Sequence, residues 1–400
     1  MKTIYDKALE LHARHKGKLA VVSKVPLKTS EDLSMAYTPG VAQVCREIAK
    51  NSELAYDYTI KGNSVAVITD GSACLGLGNI GGLASLPVME GKAMLMKELA
   101  GIDAFPICFQ NSDSGVPALV NAIKLIAPMF GGINLEDIAA PKCFEVEEAL
   151  QEIGIPVMHD DQHGTAISIL SALLNACKVS GKKIQNLTVT INGAGAAGTA
   201  IVRMLRCLEM DSSYCSRVKE IFVCDTKGII HRGREDLWEN RWKYIISQET
   251  NHEKRKGGLK EALKGSDVFI GVSKGGVLPA EYIKGMAKKA FVFSMANPDP
   301  EILPDAAKKA GAYIVGTGRS DMPNQINNAL AFPGIFRGCL DCRARTITHR
   351  MKVAAAHAIA SCVPKPTVDR IVPSVFDRNV AKAVAEAVKK AAREDGVARI

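Results

Sequence analysis

Residues 187–191 form a run of apolar and β-branched side chains. Gly193-Ala194-Gly195-Ala196-Ala197-Gly198 follows directly and opens the helical stretch Thr199–Leu208. The first glycine permits a tight strand-to-helix turn, the second lets the backbone approach a pyrophosphate, and the third lets the helix pack closely on its strand. The first amides of the helix then face the phosphates. The next apolar run, Ile221–Cys224, ends at Asp225, where a carboxylate can accept hydrogen bonds from a ribose 2′-OH. This segment is therefore expected to bind a dinucleotide. Asp225 by itself favours NAD. Lys227, Arg232 and Arg234 lie just beyond it and can offset its charge toward a 2′-phosphate, so NAD and NADP both stay open.

A second match, Gly76-Leu77-Gly78-Asn79-Ile80-Gly81, follows the apolar run Val65–Thr69. Its nearest downstream acid, Asp103, precedes the next run, Ala104–Phe109, instead of ending it, and so faces away from any ribose. This turn is expected to line the cleft from the opposite side. Helical spacing over Leu86–Leu99 and Thr165–Val179, with runs at Val268–Val272, Phe291–Ser294 and Ala312–Val315, gives the strand–helix alternation of parallel βαβ units. Asn379–Arg393, with an Ala/Val stripe, reads as an amphipathic helix packed on the body. A chain of 400 residues has room for two domains at ~100–200 residues each. The expected fold is α/β, with an N-terminal α/β substrate domain over residues 1–162. A Rossmann-type doubly wound dinucleotide-binding domain with a C-terminal helix follows over residues 163–400.

The net charge of +9 is spread along the chain with no basic stripe carrying interleaved aromatics, which argues against nucleic acid. No apolar run reaches the ~18 residues of a membrane span. The charged first 18 residues lack the apolar core of a signal peptide, so no membrane partner and a cytoplasmic location are expected. Eleven cysteines without framework spacing read as reduced thiols, and Cys339 and Cys342 lack the second pair that a zinc site needs.

Two pairs of adjacent acids, Glu136-Asp137 and Asp160-Asp161, stand about one βαβ unit apart. Adjacent carboxylates repel unless a cation relieves them, and Mg²⁺ or Mn²⁺ takes such hard oxygen ligands. The same residues also read as ordinary helix starts: Glu136-Asp137 after Gly131-Gly132, and Asp160-Asp161 as a cap on the apolar helix that follows. His159 and His163 flank the second pair and read as structural.

Several motifs, in order along residues 15–360, resemble the signatures of the malic enzymes of the short, prokaryotic type. They are Tyr37-Thr38-Pro39-Gly40-Val41-Ala42, Thr69-Asp70-Gly71 with Gly76-Leu77-Gly78, Leu86-Pro87-Val88-Met89-Glu90-Gly91-Lys92, Gly132-Ile133-Asn134-Leu135-Glu136-Asp137, His159-Asp160-Asp161-Gln162-His163-Gly164-Thr165, and Asn324-Gln325-Ile326-Asn327-Asn328 with Phe332-Pro333-Gly334. The resemblance implies oxidative decarboxylation of (S)-malate to pyruvate and CO₂ with NAD or NADP and Mg²⁺ or Mn²⁺. It implies that Lys92 is the general base at the C2 hydroxyl and Tyr37 the acid that protonates C3 after CO₂ leaves. Glu136, Asp137 and Asp161 are implied metal ligands, and Asp160 an acid that tunes Lys92. Asn297, in Ser294-Met295-Ala296-Asn297-Pro298, is implied to orient substrate and nicotinamide, as are Asn327 and Asn328. A homodimer is implied, with the N-terminal segment reaching the partner. Longer members of the family carry an arginine after Thr-Asp-Gly, where this chain reads Gly71-Ser72-Ala73-Cys74, so loop amides of residues 71–82 are expected to meet the substrate carboxylate. The competing readings are a malolactic-type conversion of malate to lactate and an oxidoreductase of the amino-acid dehydrogenase kind.

Overall fold

The structure, a computed structural model, describes residues 2–74, 76–110, 115–208, 210 and 214–400. Four strands, β1 (Ser64–Thr69), β2 (Asp103–Cys108), β3 (Gly132–Leu135) and β4 (Val157–His159), form a parallel sheet in the order β2-β1-β3-β4. Six more, β5 (Thr188–Asn192), β6 (Glu220–Asp225), β7 (Gly228–Ile229), β8 (Val268–Gly271), β9 (Phe291–Ser294) and β10 (Ile314–Thr317), form a second sheet ordered β10-β9-β8-β5-β6-β7. Only the two-residue edge strand β7 runs antiparallel among the described strands. The α/β class and the Rossmann-type second sheet are as expected.

Strand order places the site. In the first sheet, β1 has β2 on one side and β3 on the other; in the second, β5 has β6 and β8. Crevices open at the carboxyl ends of parallel strands where the order reverses. Asp70 stands just past β1, Glu136-Asp137 just past β3, and Asp160-Asp161 just past β4. The glycine-rich turn stands past β5.

Strands β3 and β4 were not foreseen. They are four and three residues long and wholly buried, too short for a periodic signal. Gly131-Gly132 resembles a turn in sequence, yet both glycines are required by packing. A Cβ at Gly131 would stand 2.5 Å from Lys61 O, and one at Gly132 3.1 Å from the Phe336 ring. Glu136-Asp137 thus ends a strand and does not start a helix. The helix that follows β4 begins at Asp160, five residues before the expected start.

That helix, Asp160–Ser180, is buried along most of its length and lies in the core cluster shared by both sheets. The expected division at 162/163 falls inside its first turn. Helix Phe332–Asp341 covers the first sheet through Phe336 and packs on helix Arg378–Glu394. That contact is close because Gly334 and Gly338 leave room for Val384 and Val388. The N-terminal helices Ile4–His15, Ser30–Ala36 and Val41–Lys50 bury no residue, although capping boxes at Thr3/Asp6 and Thr29/Asp32 fix the starts of the first two.

Cys339 and Cys342 are buried thiols, as read. Cys207 and Cys215 are joined in a disulfide, against the expectation of reduced thiols throughout. No helix among the described residues is long and apolar enough to cross a membrane.

Candidate active site

Lys92 projects from helix Gly81–Ala100 toward the ends of β3 and β4. Its Nζ lies 2.5 Å from Asp160 Oδ2, 3.0 Å from Glu136 Oε1 and 4.7 Å from the centre of the Phe332 ring. The other Glu136 oxygen accepts from Asn134 Nδ2 at 2.9 Å. Asp137 donates its backbone N–H to Asp161 Oδ2 at 2.8 Å, with its own backbone in the left-handed region at φ 52°. Aspartate tolerates that conformation better than most residues, and such backbone recurs at functional sites. Gly164 lacks a side chain for a local reason: a Cβ there would stand 1.9 Å from Asp160 Oδ1.

The two loops of the first sheet are tied together. Asp70 accepts from Ser72 Oγ at 2.5 Å and from Lys142 Nζ at 2.7 Å. Ser72 Oγ in turn accepts from Ala139 N at 2.9 Å, and Ala73 N donates to Asp137 O at 2.9 Å. The Gly71–Ala73 strap therefore fixes the loop that carries Glu136 and Asp137.

One carboxylate oxygen from each of Glu136, Asp137 and Asp161 lies within 4.8 Å of the others. Asp160 and Glu136 are buried, as is Asp137, and among the described residues Lys92 is the ammonium paired with this cluster, through Glu136 and Asp160. Burial raises the Glu136 pKa well above the usual carboxylate range; Asp161, Asp160 and Asp137 add to this and Lys92 opposes it. Asp160 is raised as well, by burial first and Asp161 second, again against Lys92. Burial works to lower the Lys92 pKa, but Asp160, Glu136 and Asp161 outweigh it and hold the amine above its ordinary value. Excess buried negative charge of this kind is stable only with protons or a multivalent cation. The donor set is all oxygen, with no thiolate or imidazole among the three, which fits Mg²⁺ or Mn²⁺. His159, fully buried, sits 3.8 Å from Asp161 and outside that set.

A cavity of about 890 Å³ joins this cluster to the second sheet. Its wall on that side carries Gly195, Ala196, Ala197, Val272, Asn297, Asn327 and Asn328. Gly193, at φ 125°, lets the turn pass Val272, whose carbonyl would lie 2.6 Å from a Cβ. Gly198 abuts Gly193 O, where a Cβ would stand 1.9 Å away, whereas a Cβ on Gly195 would meet nothing within 4 Å. The middle glycine is bare toward open space, the arrangement that a close ligand requires. The Gly76–Gly81 turn does line the cleft from the opposite side, as read: Gly76 is on its wall, and a Cβ there would meet Asn297 O at 2.4 Å.

Two placements differ from a simple reading of the motifs. Tyr37 ends helix Ser30–Ala36, is 67% exposed and is not on the cleft wall. Asp225 ends β6 as expected, but its carboxylate already accepts from Arg234 Nη1 and Nη2 at 2.8 and 3.0 Å, Lys243 Nζ at 2.8 Å and Lys227 N at 2.9 Å. Arg232 turns away to Gln248 O. Lys243 is 18 positions from Asp225 and carried no local signal. Lys18 was also missed: it lines the cleft, donates its Nζ to Pro87 O at 2.6 Å, and is held by Glu90 through its backbone N–H at 3.1 Å.

Comparison with known proteins follows the same outline. Residues 16–115 match the family model "Malic enzyme, N-terminal domain", and residues 162–393 match "Malic enzyme, NAD binding domain". The chain is 52% identical over 401 residues to the "Bifunctional malic/malolactic enzyme" of Bacillus subtilis (strain 168), covering 100% of this chain and 95% of that one. It is 51% identical over 386 residues to the "NAD-dependent malic enzyme" of Geobacillus stearothermophilus, covering 96% and 78%. Among solved structures it is similar to the NAD-dependent malic enzyme of Thermotoga maritima, with a TM-score of 0.89, 49% identity, and coverage of 96% and 98%.

Proposed function

The chain belongs to the malic enzyme family, and on that premise we propose that it oxidises and decarboxylates (S)-malate to pyruvate and CO₂ while reducing NAD or NADP. The observation that carries the reading is Lys92 held between Asp160 and Glu136, on a cleft whose far wall is the bare Gly195 turn. Glu136, Asp137 and Asp161 would hold Mg²⁺ or Mn²⁺. Such an ion supplies Lewis acidity toward the C2 oxygen and the charge that builds up once CO₂ leaves.

The chain's own groups do the rest. Lys92 removes the proton of the C2 hydroxyl while C2 is oxidised, and for this it must be neutral. When Glu136 and Asp161 are engaged by a divalent ion, less of their charge acts on the amine and its pKa falls. Asp160, the closest acid, receives or returns the proton and keeps Nζ aimed. Asn297, Asn327 and Asn328 line the substrate end of the cavity and orient carboxylate and nicotinamide. Gly193–Gly198 would hold the pyrophosphate of the nucleotide, and Asp225 with its cations would meet the ribose. We keep the division into residues 1–162 and 163–400 as a proposal, supported by β1–β4 preceding it and β5–β10 following it.

Tyr37 delivers the proton to C3, and we propose that it does so in the partner subunit of a homodimer. Two observations support this: Tyr37 lies off its own chain's cleft, and the N-terminal segment, whose three helices bury nothing, exposes Leu9, Val21, Val22, Leu27 and Met35 on its helices and connecting loop. Apolar surface of this extent marks an interface.

Absorbance of reduced nucleotide, followed with malate, each nucleotide and Mn²⁺ or Mg²⁺, tests the reaction. Lactate appearing without net reduced nucleotide would instead establish the malolactic reading, which the printed name of the Bacillus subtilis relative keeps in view. Turnover untouched by chelator would count against the metal-dependent reaction and in favour of the metal-free amino-acid-dehydrogenase-like reading.

A further inference from the structure

Lys18 stands where the N-terminal segment meets helix Gly81–Ala100, and two glycines make the meeting close. Gly17, at φ 103°, passes Glu90, whose Oε1 would lie 2.8 Å from a Cβ. Gly91 leaves a gap beside Lys92 that the Lys18 ammonium occupies, since a Cβ there would stand 3.7 Å from Nζ. The same Nζ donates to Pro87 O at 2.6 Å, one turn back along the helix, and lies 3.3 Å from the His12 ring. The segment is thus pinned with a half-buried cation on the wall of the cleft that holds Lys92.

We propose that Lys18 binds a carboxylate of the dicarboxylate substrate and supplies the positive charge that draws this anion into the cleft. The inference rests on the malate reading proposed above.

Three observations carry it. The cations on the described wall of the cavity are Lys18 and Lys92, and Lys92 is committed to Asp160 and Glu136. Among the described residues Lys18 makes no such ion pair. Its ammonium meets a carbonyl and a ring, while the nearby Glu90 accepts from its backbone N–H at 3.1 Å. An ammonium has three donors, so one is left for a ligand after Pro87 and His12 are served.

Charge points the same way. The carboxylates of Glu136, Asp137 and Asp161 together outweigh a divalent ion, and Lys92 must lose its proton to act as a base. A dianion entering the cleft is then repelled unless another cation faces it, and Lys18 is that cation. Nor does the loop of residues 71–82 offer much in its place. Seven of its amides, those of residues 71–74, 77, 80 and 81, already donate within the chain.

Steady-state kinetics of Lys18→Met and Lys18→Arg test the assignment. In Lys18→Met the malate KM should rise about tenfold or more, the worth of one charge-assisted hydrogen bond. The nucleotide KM should stay near the parental value, and kcat should fall by less than the malate KM rises. Lys18→Arg keeps the charge and should recover most of the lost affinity. A parental malate KM in Lys18→Met overturns the assignment, as does a rise shared equally by malate and nucleotide. Calorimetric titration with malate in the presence of Mn²⁺, without nucleotide, decides the point apart from turnover: Lys18→Met should bind about tenfold more weakly. If the parent binds malate without turning it over, the proposed reaction fails and this comparison still judges Lys18. Equal affinity in parent and variant, or no malate binding by the parent, overturns the role of Lys18.

Discussion

Lys92 Nζ sits 2.5 Å from Asp160 Oδ2 and 3.0 Å from Glu136 Oε1, an ammonium caught between two buried carboxylates. In this arrangement it holds its proton firmly and is not available as a base. The two roles are reconciled only if a divalent ion takes over Glu136 and Asp161. Lys92→Arg keeps the positive charge but cannot deprotonate at working pH. It should therefore lower kcat by about 10²–10⁴-fold, with nucleotide affinity nearly unchanged by fluorescence titration. Chelator should silence the parent enzyme, and Mn²⁺ should restore it. Parental kcat in the Lys92→Arg variant would rule out Lys92 as the base.

Tyr37→Phe should lose malate turnover as well, and the cause can be located by mixing. If Tyr37 acts in the partner's cleft, co-folding inactive Tyr37→Phe with inactive Lys92→Arg creates mixed dimers in which one of the two clefts is intact. With random pairing, about a quarter of parental activity should return. In a cis arrangement no cleft is intact and nothing returns. Steady-state rates of the mixture against each parent variant give the answer directly.

Much of the site was legible because the chemistry sits at strand ends. The six-residue glycine turn and Asp225 announce themselves by their position after apolar runs, and β5, β6, β8, β9 and β10 fall where those runs lie. The acid pairs were visible as pairs, but not as partners. Nothing local says that β3 and β4, short and carrying few side chains, are adjacent strands, and it is that adjacency which brings Glu136 to Asp161. Residues that act through tertiary contact left no trace: Lys243 on Asp225, Lys142 on Asp70, and Glu147 beneath the Asp160 turn. Tyr37 illustrates the complementary limit, since a motif names a residue without saying which cleft it enters.

Glu147 gives the fold a pH signature. Burial alone would raise its pKa, but His163 and Lys352, with the His159 N–H, hold it at about 2, against an ordinary value of 4.5. A carboxylate depressed in the folded state contributes stability above its unfolded pKa and loses it as pH falls through the folded one. The contribution is worth roughly 3 kcal/mol, and it should fade between about pH 4.5 and pH 2. Urea unfolding of the parent and of Glu147→Gln should therefore show a gap that is widest near neutrality and closes across that interval. A gap independent of pH would contradict the ionised, paired state.

Arg234 decides how Asp225 treats the ribose. With Arg234 and Lys243 both bonded to the carboxylate, the end of β6 does not present the bare negative charge that rejects a 2′-phosphate. Arg234→Gln restores that charge. The ratio of kcat/KM for NADP to that for NAD should fall by about tenfold or more. If both values drop together and the ratio holds, the cluster is a structural brace with no part in choosing the nucleotide.

Gly195 and Gly198 stand three residues apart in the same turn and should fail in opposite ways. A methyl on Gly195 meets nothing within 4 Å, and its backbone at φ −89° is open to any residue. Gly195→Ala should therefore fold and melt like the parent. Its methyl would project where the pyrophosphate approaches, so KM for the nucleotide should rise about tenfold or more. A methyl on Gly198 would stand 1.9 Å from Gly193 O, a backbone atom that cannot swing aside. Gly198→Ala should cost about 2 kcal/mol or more in unfolding free energy, whatever ligand is present. Thermal melts of the two variants, alongside nucleotide KM for the first, separate the glycine that serves the ligand from the one that serves the fold. A Gly195→Ala enzyme with both parental stability and parental KM would remove the dinucleotide from this turn.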